Sequence, residues 1–65
     1  MEEIAIEFEN CFRYQISNIK TAEQKNNILS QMEETFLEAV RNKPSCRDEL
    51  SRVYQELKIQ CEKAS

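Results

Sequence analysis

The chain has no glycine, no histidine and no tryptophan, and it has a single proline among its 65 residues. Without glycine there is no glycine-rich loop to cradle a nucleotide phosphate, and the turn chemistry of a β-rich fold is missing. Without histidine, the usual general base and the commonest zinc ligand are both gone. Cysteine is sparse: Cys11, Cys46 and Cys61, an odd number with no CxxC spacing. Such a set cannot close into a full internal disulfide framework, so reduced thiols and a cytoplasmic location are expected. No apolar run approaches the roughly 18 residues that a membrane span requires. The opening Met1-Glu2-Glu3 is acidic where a secretory signal would be basic, so no such signal is expected. A net charge of −3 argues against non-specific binding to nucleic acid, which needs clustered cations.

What is present favours helix. Glu, Gln, Lys, Leu, Ile and Ala supply much of the chain, and all but the β-branched Ile lose little on entering a helix. At 100° per residue, Ile4, Ala5, Phe8, Cys11, Phe12, Ile16 and Ile19 fall in a sector about 140° wide, the stripe of an amphipathic helix over residues 2–19. Thr21-Ala22-Glu23-Gln24 is a capping-box pattern, which places a helix break at Lys20-Thr21. From residue 22 to 42, Ala22, Ile28, Leu29, Met32, Phe36, Ala39 and Val40 form a second stripe, about 120° wide. Arg41 and Lys43 follow at its end, where cations suit the negative pole of the helix. Pro44 pushes Lys43 out of helical geometry, and Ser45 is then expected to cap a third helix, residues 46–63, with Asp48 and Glu49 in its first turn. Its stripe is Cys46, Leu50, Val53, Tyr54, Leu57, Cys61 and Ala64.

These readings predict an all-α protein, a small three-helix bundle forming one helical domain over residues 1–65. The expected core is Ile4, Phe8, Phe12, Ile16, Ile19, Leu29, Met32, Phe36, Val40, Leu50, Val53, Leu57 and Cys61. The competing architecture is a helical hairpin with a long first helix, which would dimerise to cover its open apolar face. A chain this short buries little surface, so reinforcement by another chain is a recurrent solution.

Signs of chemistry are weak. Cys46 at a helix start beside Arg47 has some of the surroundings that stabilise a thiolate, but Asp48 and Glu49 oppose it and no histidine can activate it. Cys11 and Cys61 lie on or beside apolar stripes and are expected to be buried as small hydrophobes. The carboxylate pairs Glu3/Glu7 and Glu34/Glu38 each share a helix face, but they lie outside the apolar sectors and no histidine completes a metal site. Arg41, Lys43, Arg47 and Arg52 gather near the second corner, diluted by nearby acids. No catalytic residue, metal, cofactor or small-molecule substrate is expected. Four apolar residues fit no single core: Ile6, Tyr14, Leu37 and Ile59. They point to a second contact surface, used by another protein through helix–helix packing or by a second copy in a structural homodimer. The first expectation is a small non-enzymatic interaction module, such as an adaptor, regulator or co-chaperone-like subunit. Nucleic-acid binding and a thiol redox switch are the lesser alternatives.

Overall fold

The computed structural model describes residues 3–64, which form three α-helices and no strand. The elements are α1 (Glu3–Ser17), α2 (Ala22–Asn42), a 3-10 turn (Pro44–Cys46) and α3 (Arg47–Lys63). The protein is therefore a small all-α three-helix bundle, with Cα extents of 34 × 18 × 15 Å. The expected helical start at Glu2 lies outside the described residues.

Two corners made without glycine set the topology. No described residue has a positive φ, so both are built from side-chain hydrogen bonds and ordinary backbone. At the first, α1 stops at Ser17, two residues earlier than its apolar stripe suggests. The Ser17 hydroxyl (2.7 Å) and the Asn18 amide (2.9 Å) both donate to the carbonyl of Tyr14. Short polar side chains thus satisfy a helix-end carbonyl and compete with further turns of helix. Ile19 then sits outside the helix, its N–H donating to Ile16 O. Thr21 is the N-cap of α2: its Oγ1 accepts from Gln24 N at 3.1 Å, while Gln24 Oε1 accepts from the backbone of Lys20 and Thr21 at 2.7 and 3.3 Å. This reciprocal box holds the hairpin corner, so Thr21→Ala is expected to lose about 1 kcal/mol in urea unfolding. A loss of less than a few tenths would mean the cap is dispensable.

The second corner corrects the expected cap. Lys43 leaves the helix with extended φ −141°, as a residue preceding proline should. Ser45, however, does not cap α3. Pro44 opens a 3-10 turn in which Cys46 N–H donates to Lys43 O (3.2 Å) and Arg47 N–H to Pro44 O. Cys46 occupies the N-cap position with no side-chain bond to the following turn. The turn's own backbone bonds shift the start of α3 by one residue, and Asp48 and Glu49 still meet its positive pole.

The core runs down the middle of the bundle. Phe8, Phe12, Ile16, Met32, Leu50, Val53, Leu57 and Cys61 are buried as expected. Ile4, Ile19, Leu29, Phe36 and Val40, expected in the core, are only partly covered and pack at its margin. Ala5, Ile28, Ala39 and Cys46 are buried instead. Three of these four are small, and small side chains suit the lines where helices approach most closely, while larger residues at the stripe edges stay half open. A string of rings joins the helices: Phe12 to Phe8 at 4.9 Å, Phe8 edge-on to Tyr54 at 6.5 Å, and Tyr54 stacked on Phe36 at 4.9 Å. Tyr54 on α3 therefore touches both other helices. α1 and α2 each pack more extensively on α3 than on one another.

Candidate functional site

The residues with the strongest intrinsic chemistry are dispersed. Among the described residues, no three His, Cys, Asp or Glu side chains gather to hold a metal ion, and no polar or charged residue is buried. No helix is long and apolar enough to cross a membrane among the residues described. Cys46 is buried, and its thiol donates to the carbonyl of Lys43 at 2.9 Å. Cys11, expected inside, is exposed on α1, with Gln15 Nε2 3.4 Å from its sulfur. It lies on the edge of the α1 stripe that turns away from α3, which leaves it outside the core.

Cys61 is buried, and burial pushes its thiol pKa up. The neighbouring Lys25 ammonium opposes the shift and Glu62 adds to it. Lys25 is fixed there because its Nζ donates to the Glu62 carbonyl at 2.6 Å, tying the start of α2 to the end of α3. The consequence for stability has a definite sign. Below about pH 8.5 folded and unfolded chains both hold the Cys61 proton; above it the unfolded chain releases a proton that the folded chain keeps. Stability should therefore fall as pH rises above about 8.5, and Cys61→Ala should flatten that decline. Urea midpoints measured across pH 7 to 10 test this; identical slopes for the two proteins would rule the group out.

The four outlying apolar residues are all exposed: Ile6, Tyr14, Leu37 and Ile59. They do not share one helix face. Ile6 and Tyr14 lie about two turns apart on α1, Leu37 is on α2 and Ile59 on α3. Tyr14 is the most open, at 73%, and it borders a depression in the surface.

That depression belongs to the seam between α1 and α2, the less closely packed pair. Two hollows lie in line along it. One, of about 400 Å³, sits where α1 ends and α2 begins, lined by Tyr14, Gln15, Asn18, Ile19, Gln24, Asn27, Ile28 and Gln31. The other, of about 350 Å³, sits at the opposite end, lined by Ile4, Glu7, Phe8, Cys11, Phe12, Thr35, Glu38, Ala39 and Asn42. The floors are apolar and the banks carry mostly amides. Only Asn10, Asn26, Gln55 and Gln60 of the chain's asparagines and glutamines lie elsewhere. Among the described residues no lysine or arginine lines either hollow, and the only charges there are Glu7 and Glu38.

Sequence reasoning sought apolar stripes and passed over this polar one, although its signal is present. On α2, positions 24, 27, 31, 35, 38 and 42 step by three and four residues, and on α1 positions 7, 11 and 15 are four apart. Each set is one helix face. Compared with known proteins, the chain matches no family model, no curated protein and no solved structure.

Proposed function

We propose that this chain is a non-enzymatic protein–protein interaction module that receives a helix of another protein along the α1–α2 seam. The observation that carries the reading is the composition of that seam. Surfaces buried at the centre of an interface are depleted in charge, because a charge loses more hydration than it regains. Amides lose less and retain both donor and acceptor capacity. The hollow beside Tyr14, with an apolar floor, amide banks and no charged side chain among the described residues, has that character, in a chain that is 32% charged overall. An amphipathic helix laid in such a groove would contact both hollows, since the bundle's 34 Å length matches about 20 residues of helix.

Tyr14, exposed on the bank, is the natural anchor, because tyrosine supplies contact area at low entropic cost. With a partner isolated from the native source, Tyr14→Ala should weaken binding about tenfold or more while leaving helicity unchanged. Thr35→Arg, which places a long cation in the second hollow, should abolish binding. Titration calorimetry with both variants tests the reading. Full affinity in both would move the interface off the seam, to a surface that carries Ile6, Leu37 or Ile59.

A further inference from the structure

Resting on the seam reading, we propose that the helix received there is cationic over one half of its length, carrying lysine or arginine on both flanks above Glu7 and Glu38. The two halves of the seam differ in charge. Among the described residues, the hollow bordered by Tyr14 is lined by no ionisable side chain except that tyrosine. The other is lined by two carboxylates, Glu7 from α1 on one bank and Glu38 from α2 on the other. Neither carboxylate has an ion-pair or hydrogen-bonding partner among the described residues. Of the cations on the same two helices, Arg13 pairs with Glu9 at 2.7 Å on another face of α1, and Arg41, one turn from Glu38 on α2, lines neither hollow.

A helix lying between the banks would therefore pass between two unpaired negative charges. The floor beneath it, with Phe8, Phe12 and Ala39, accepts an apolar ridge. Carboxylates of both banks would repel an acidic flank and attract a basic one, which sets both the partner's charge and its direction along the seam. A second copy of this chain fits less well. Seam against seam brings four carboxylates to one interface, with no cation on either seam to meet them.

The test uses the full chain and two designed 20-residue helical peptides. Both carry a leucine ridge and glutamine flanks, and over one half the flanking positions are lysine in one peptide and glutamate in the other. Fluorescence anisotropy at low ionic strength should give the lysine peptide at least about tenfold tighter binding. The preference should shrink below about twofold in the Glu7→Gln/Glu38→Gln double variant and diminish with added salt. Thr35→Arg should eliminate binding of both. Equal binding of the two peptides, blocked by Thr35→Arg, would overturn the cationic partner while leaving the seam reading intact. No binding of either, or binding indifferent to Thr35→Arg, would overturn the seam itself. A concentration-dependent dimer in sedimentation that Thr35→Arg dissociates would make the occupant a second copy and also overturn the proposal.

Discussion

Leu57→Ala is expected to leave the chain largely unfolded at room temperature. Leu57 is completely buried in the middle of α3, against the faces that α1 and α2 turn inward. Truncating a buried leucine costs about 2–5 kcal/mol, the lost transfer energy plus the cavity left behind. A chain of this length has about 3–10 kcal/mol of stability in total, so the loss is comparable with the whole. The three helices share one core, and a void in it cannot be isolated from the rest. Leu37→Ala is the matched control, since the same side chain is removed from an exposed position of α2 and should change stability by less than about 0.5 kcal/mol. Far-UV circular dichroism against urea distinguishes the two. If Leu57→Ala unfolds at the wild-type midpoint, the packing described here is wrong.

Phe8→Ala should have an effect of similar size by a different route. Phe8 is the link between Phe12 on its own helix and Tyr54 on α3, and Tyr54 in turn stacks on Phe36 of α2. Removing the ring leaves a cavity worth about 3–5 kcal/mol and breaks the aromatic string that joins all three helices. Phe8→Leu, which keeps most of the volume, should cost less than about 1.5 kcal/mol. The difference between alanine and leucine isolates volume from aromaticity. Near-UV circular dichroism adds a local readout, because the Tyr54 signal should weaken in both variants once its edge-on neighbour is gone. A Phe8→Leu protein as unstable as Phe8→Ala would show that ring geometry, not filling, is what matters there.

The fold was legible because its dominant signal is periodic. Three apolar stripes, one capping box and one proline mark three helices and two corners, and the rival reading, a long merged first helix, is excluded by the break that the Thr21 capping box makes. The failures are local. The end of α1 depends on Ser17 and Asn18 turning back to a single carbonyl, a choice of rotamer that spacing alone does not reveal. The start of α3 depends on whether Ser45 or the backbone of the proline turn satisfies the first N–H groups, and here the backbone does so. Cys11 was misplaced because a 140° stripe is wider than the face a neighbouring helix can cover. Ala5 and Ala39, by contrast, are more deeply buried than their modest hydrophobicity suggests, because depth depends on how closely helices cross. The candidate site was the least legible of all. Its polar banks are mostly amides, which carry no distinctive chemistry until two helices set them along the same groove.

The unequal packing of the three helices also bears on the order in which the chain can acquire its structure. α1 precedes α2 in the chain but has its more extensive contacts with α3, which follows α2. α2 and α3 are neighbours in sequence and can pair early at small entropic cost, whereas α1 must wait for a contact that spans most of the chain. During translation Phe8 therefore lacks its ring neighbour Tyr54 until α3 has emerged and packed. Over that interval the growing chain presents the kind of apolar segment that chaperones bind. Its capacity to fold in a cell depends on how quickly α3 emerges to cover α1.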